Sequence, residues 1–166
     1  MNAAAVVLIL VTCTAALLDV RTRRIPNALT GIAALAALAV HVPGGPYAVL
    51  LSLAAMTAAF LIASLAFTAG WFGGGDVKLI AVCCGLAGTP GAVALVLYVL
   101  AAGAVLAVVS ALARGRLIAL LRSTAAVAAH GAPAAQAASL PYALAIAGGS
   151  ITYVASSIIP VLRLPL

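Results

Sequence analysis

Asp19 and Asp76 are the only two acidic residues in a chain of 166 that also carries eight Lys and Arg and two His. Three kinds of chemistry could use them. If the carboxylates approach closely they cannot both ionise, so one keeps a proton while the other stays charged. The charged one then takes a proton from water and the neutral one donates to a carbonyl oxygen, as in aspartic proteases. The same pair could instead carry protons or bind a cation, as in transporters, although a cation site needs further oxygen ligands that loop carbonyls supply only in part. Or each could pair with a neighbouring base as a topology anchor, Asp19 with Arg21 or Arg23 and Asp76 with Lys78. Each alternative depends on which elements carry the two acids, and where.

Composition decides the kind of element. An average soluble domain is about 25% charged; this chain is 6% charged and 67% hydrophobic, with a mean hydropathy of +1.35. Two acids and eight bases cannot make a water-facing surface, so lipid must cover most of the chain. A pI near 9.9 would fit nucleic acid, but the bases lie between apolar runs with no basic stripe and interleaved aromatics, and anionic lipid headgroups are the expected partner.

A membrane helix needs roughly 20 apolar residues, and six segments meet or approach that length: 2–18, 25–42, 48–70, 77–88, 92–113 and 139–160. The fourth is short and is closed by the turn-forming "GTPG", so it either begins upstream near Asp76 or ends inside the apolar layer. With the N-terminus outside, Arg21, Arg23 and Arg24 fall in the first inner loop, Lys78 in the second, and Arg114, Arg116 and Arg122 in the third. Seven of the eight bases then obey the positive-inside rule and only Arg163 departs from it. Bases follow the first apolar run instead of preceding it, which makes that run a retained helix and not a cleaved signal. Segment 115–128 reads as an amphipathic helix lying on the membrane; as a seventh span it would carry Arg122 at a cost of about 2.5–3.5 kcal/mol. The expected architecture is an all-α polytopic membrane protein of about six transmembrane helices, one membrane-embedded domain over 1–166 with no repeat. Both acids lie on its cytoplasmic side.

Around Asp76 runs "FGGGDVKL" and around Asp19 "DVRTRRIPN". Glycines permit close backbone approach, so a second chain could lie against the first of these loops. A phosphate cradle is excluded, because GxxxxGK[ST] is absent and a carboxylate repels phosphate. In the second motif Pro26 suits the first turn of a helix and Asn27 can bond the freed backbone. Neither motif alone selects a chemistry.

Together, some fifty residues apart, the two motifs resemble the type IV prepilin peptidases, membrane aspartic proteases of the Gly-x-Gly-Asp class. The late "LPYALAIAGG" is similar to that family's C-terminal helix with its proline and aromatic residue. The resemblance covers nearly the whole chain. It implies that Asp19 and Asp76 are the catalytic pair and that Gly73 and Gly75 shape the second catalytic loop. Lys78 would be the base that follows the catalytic aspartate, and Pro26 and Asn27 would belong to the first motif. It further implies removal of a short basic leader from prepilin or pseudopilin precursors, at the cytoplasmic face of the bacterial cytoplasmic membrane, with no metal or cofactor.

Larger relatives carry a cytoplasmic domain with a four-cysteine zinc site and also methylate the new pilin N-terminus. Cys13, Cys83 and Cys84 here lie within expected spans and form no CxxC pair, so they are expected to pack. The chain thus resembles the compact branch associated with Flp-type tight-adherence pili, with peptidase activity and no methyl transfer. The competing classes are a proton or cation transporter, which would want its acids near the bilayer midplane on broken helices, and a scaffold in which both Asp positions tolerate Asn.

The remaining polar and aromatic residues have plainer expected roles. Lys78 either steers an acidic group or anchors a helix end among headgroups. Trp71 is an interfacial anchor. His41 and His130 fall in loops on opposite sides, which argues against a shared metal. Pro141 and Tyr142 shape the last helix, and Tyr142 has a second possible place lining a substrate groove.

Overall fold

The computed structural model describes residues 2–70, 73–113, 115 and 142–159, and every regular element among them is helical. α1 spans Ala3–Thr22, α2 Asn27–Ala39, α3 Gly45–Thr68, α4 Gly74–Ala113 and α5 Tyr142–Ile158, with a short 3₁₀ turn, Val42–Gly44, between α2 and α3. Trp71, Phe72, His130, Pro141 and nearly all of the 115–128 segment lie outside the described residues.

Local chemistry sets the helix ends. Asn2 caps α1 by accepting the Ala5 N–H at 2.9 Å. At the other end the helix runs through the polar "DVRT" to Thr22, so Asp19 sits inside its last turn. Arg23 then turns left-handed (φ 53°) and its N–H closes the helix on the Asp19 carbonyl at 2.8 Å, the single-bond cap typical of a left-handed residue just past a helix. Glycine normally fills that place; arginine accepts about 1–2 kcal/mol of steric cost there. Pro26, extended at φ −62° and ψ 137°, fixes the start of α2, and its carbonyl accepts from Leu29 at 3.1 Å.

α4 contains the break expected at "GTPG". Gly88 is non-helical (φ 69°, ψ 170°) and Pro90 follows it inside the run, so α4 is two helical arms joined at a corner. The first arm begins upstream of Asp76, at Gly74, and at 1.5 Å per residue is roughly 22 Å long. Carbonyls near the break need other donors, and the buried Ser52 hydroxyl of α3 supplies one, to Gly85 O at 2.8 Å.

α4 is the hub, touching each of the other helices. Its first arm is deeply buried, with little exposure from Val77 to Leu86 apart from Lys78. α5 lies against the second arm so closely that a Cβ on Gly149 would overlap backbone atoms of Val99; small residues allow that approach, as is usual between helices in lipid. Outward faces are apolar: Leu35 is 70% and Leu65 71% exposed, the reverse of a water-facing protein. Three helical runs, Ala3–Thr22, Asn27–Thr68 and Gly74–Ala113, are long and apolar enough to cross a membrane, and Tyr142–Ile158 is a shorter apolar helix.

Candidate active site

The last turn of α1 and the first turn of α4 face one pocket of about 310 Å³, lined by Asp19, Arg23, Arg24, Ile25, Gly73, Gly74, Gly75 and Asp76. Both carboxylates are half-buried. The two acids of the chain, far apart in sequence, thus share one small cavity at the ends of two helices.

Asp76 is the third residue of α4 and its Oδ2 accepts the Gly73 N–H at 3.2 Å. A side chain at this position reaching back to the residue before the helix is half of a capping box, and it orients the carboxylate toward the pocket wall formed by the glycines. A Cβ on Gly73 would come within 3.0 Å of that same oxygen, so glycine leaves the carboxylate room. Gly75 serves a different contact. Its Cβ would lie 3.1 Å from the Ile25 Cβ, and its absence lets the α1–α2 loop close down on α4. Gly74, between them, is near the Phe67 ring of α3, 3.7 Å from where its Cβ would be.

Burial and charge both act on Asp76. Asp76 stands ahead of the apolar stretch that begins at Val77, and burial pushes its carboxyl up from 3.8 to about 6. The Gly73 N–H pulls it back and the charge of Asp19 raises it further. Near neutral pH this carboxyl is therefore available in both protonated and ionised forms, as a group that exchanges protons should be.

Lys78 does not face Asp76. Side chains two apart on a helix point in different directions, and its Nζ instead donates to Asn27 Oδ1 at 2.8 Å, across 51 residues of sequence. Pro26, beside Asn27, acts on the site through the backbone, as the residue that begins α2. Tyr142 opens α5, half-buried and near enough for the charge of Asp76 to act on its phenol. It also lines a second, apolar groove of about 460 Å³ bordered by α3 and α4, with Ala59, Ala63, Ile80 and Val96 among its walls. Arg23, Arg24, Ile25 and Gly74 were not singled out for the pocket by the motifs. The "DVRTRRIPN" stretch contains the first three, but no sequence signal shows that they face the glycine loop.

Other candidates lie elsewhere. His41 is at the far end of α2, its Nδ1 2.8 Å from the Ala37 carbonyl and its Nε2 beside Gly88. Cys83 and Cys84 are buried in the first arm of α4, whereas Cys13 is exposed on α1. Among the described residues no three His, Cys, Asp or Glu side chains gather as metal ligands. Two carboxylates in a pocket large enough for water and a peptide bond, with no Ser, Thr or Cys among the described residues that line it, make an arrangement suited to activating water.

Residues 6–108, which contain both motifs and both acids, match the sequence profile of the type IV leader peptidase family. No curated protein and no solved structure matches the chain.

Proposed function

The chain belongs to the type IV leader peptidase family, and from that premise we propose that it is an aspartic endopeptidase with Asp19 and Asp76 as its catalytic pair. Its substrates are prepilins or pseudopilins of the Flp type, from which it removes the short basic leader. The observation that carries this reading is the single pocket shared by the chain's two carboxylates, one of them raised to about 6.

In the mechanism Asp19 is ionised and Asp76 protonated. Asp19 takes a proton from a water whose oxygen attacks the scissile carbonyl carbon, while Asp76 donates its proton to the carbonyl oxygen, giving a neutral diol. Collapse returns a diol proton to Asp76, the C–N bond breaks, and the departing amine takes the proton held by Asp19. Gly73 leaves room for the Asp76 carboxylate and Gly75 for the neighbouring loop.

The proposed setting is one domain crossing the bacterial cytoplasmic membrane about six times, N-terminus outside, so that the pocket opens to the cytoplasm where seven of the eight bases also lie. A precursor whose apolar helix lies in the same bilayer would then present its leader junction at that boundary. Both acids stand at helix ends, and this favours a boundary site over a midplane transport path.

The test is cleavage of a purified precursor by the wild type beside Asp19→Asn and Asp76→Asn. Loss of more than a thousandfold in each variant, with normal membrane insertion, is expected; full cleavage by either would sink the pair. Mass spectrometry of the product should show an unmethylated N-terminus, and an added methyl group would overturn the peptidase-only reading.

A further inference from the structure

We propose that the Lys78–Asn27 hydrogen bond is a positioning clamp, holding the α1–α2 loop on the first turn of α4 and so setting the separation of Asp19 and Asp76. The inference rests on the reading of those acids as a working pair, and it gives Lys78 and Asn27 a role toward each other in place of one toward substrate.

Beside the wider packing of α1 and α2 on α4, two contacts join the α1–α2 loop and the start of α2 to the first turns of α4. One is the packing of Ile25 over Gly75, which is apolar and closes because glycine lacks a Cβ. The other is the 2.8 Å bond from Lys78 Nζ to Asn27 Oδ1. Asn27 and Lys78 are both exposed, so neither contributes core packing, and the bond joins the start of α2 to the start of α4. Asn27 follows Pro26 directly, and the restricted φ of proline makes the short link back to Asp19 stiff. Movement of Asn27 away from Lys78 therefore carries the loop, and with it the wall of the pocket, away from Asp76.

Like charges in one pocket give this contact something to resist. Whenever both carboxylates ionise they repel, and the softest response is for the loop to lift off α4. A donor with a long reach, anchored one turn from the pocket, opposes that motion without occupying the cavity. An ammonium bound to a neutral amide also keeps its charge beside the site without forming an ion pair that would quench Asp76.

The distinguishing readout is the pH profile. Besides Asp19, the described charged or titratable groups around Asp76 are Arg23 and Arg24 from the α1–α2 loop, Lys78 on α4 and Tyr142 on α5. Asn27→Ala alters none of these charges. If it lets the acids separate, Asp19 raises Asp76 less, and the upper apparent pKa of the pair falls. Lys78→Met removes a cation as well, which pushes carboxyl groups upward, so it is informative in rate and not in pH.

The experiment uses the full chain in liposomes with a synthetic precursor: a short basic leader, a glycine and an apolar helix of about 20 residues. Expected results are a roughly tenfold lower kcat for Asn27→Ala and for Lys78→Met. The double variant should be no slower than the slower single, because one bond is lost in all three. The alkaline limb of kcat/KM for Asn27→Ala should shift down by about half a pH unit, and Lys78→Arg, which can still donate to Asn27, should recover most of the rate. A wild-type pH profile for Asn27→Ala, or rate losses that multiply in the double variant, would overturn the clamp. Should Asn27→Ala fail to insert, Asn27→Ser, too short to reach Lys78, is measured for the same shift. If the clamp variants are silent while Asp19→Asn and Asp76→Asn remain inactive, the clamp falls and the acid pair stands; if the Asp variants cleave, the pair itself falls.

Discussion

The segment carrying Asp19 and the segment carrying Asp76 place the same functional group by opposite means. Asp19 rides in the last turn of a 20-residue helix that continues through polar residues and is closed by an arginine in left-handed geometry. Asp76 rides in the first turn of a helix preceded by glycine, where the carboxylate bonds the Gly73 N–H. A helix C-terminus presents carbonyls and a helix N-terminus presents N–H groups, so only Asp76 gains a backbone donor from its own helix end. Yet the Asp76 carboxyl is raised to about 6, because burial outweighs that hydrogen bond. Desolvation, and not local backbone chemistry, decides the direction in which the Asp76 carboxyl moves.

The largest way to break this comparison is to fill the space between the segments. Gly75→Val puts branched carbons where even a single Cβ would sit 3.1 Å from Ile25, and cleavage should fall at least a hundredfold while the protein still inserts. Near-normal rates would mean that the two segments need not touch.

Next in size is the pH response. With Asp76 protonated in the active form, kcat/KM should fall about tenfold per pH unit once pH exceeds the pair's upper apparent pKa, near 6 in the free enzyme. A profile that is flat from pH 5 to 8 would remove the proton-donor role of Asp76.

A stability measurement sharpens the same point. The Asp76 carboxyl is raised in the folded protein, so its contribution favours folding below about pH 3.8 and is lost as pH rises through about 6. Asp76→Asn, which avoids ionisation, should therefore unfold later than wild type at pH 8, by about 1–2 kcal/mol after allowing for partial solvent screening. The gap should close by pH 4. Equal stability at both pH values would show that burial does not penalise the charge.

The smallest expected effect concerns the other segment. Arg23→Gly relieves the left-handed cost and should stabilise α1 by up to about 1 kcal/mol, seen as a raised Tm. A lowered Tm would mean that the arginine side chain contributes more than its backbone geometry costs.

Much of the site was legible because its signals are local. "GTPG" announced the corner in α4, since glycine and proline act on their own backbone. The rarity of acids marked Asp19 and Asp76 as residues to explain. Arg23 was opaque, because nothing in an arginine signals left-handed geometry; the turn follows from ending α1 so that the chain can return at Pro26. The Ile25–Gly75 and Lys78–Asn27 contacts were equally hidden, as each joins residues remote in sequence whose meeting depends on how α1, α2 and α4 pack.

By itself the sequence determined that the described elements are helices with apolar outward faces and corners at glycine and proline, and it marked two carboxylates as residues to explain. These follow from composition and from backbone preferences within a few residues. Only the tertiary structure decided that the two acids share one pocket, that Lys78 engages Asn27 instead of Asp76, and that the Asp76 carboxyl is raised. Burial and the field of a second carboxylate are properties of the space around a group, and that space exists only once the helices have packed.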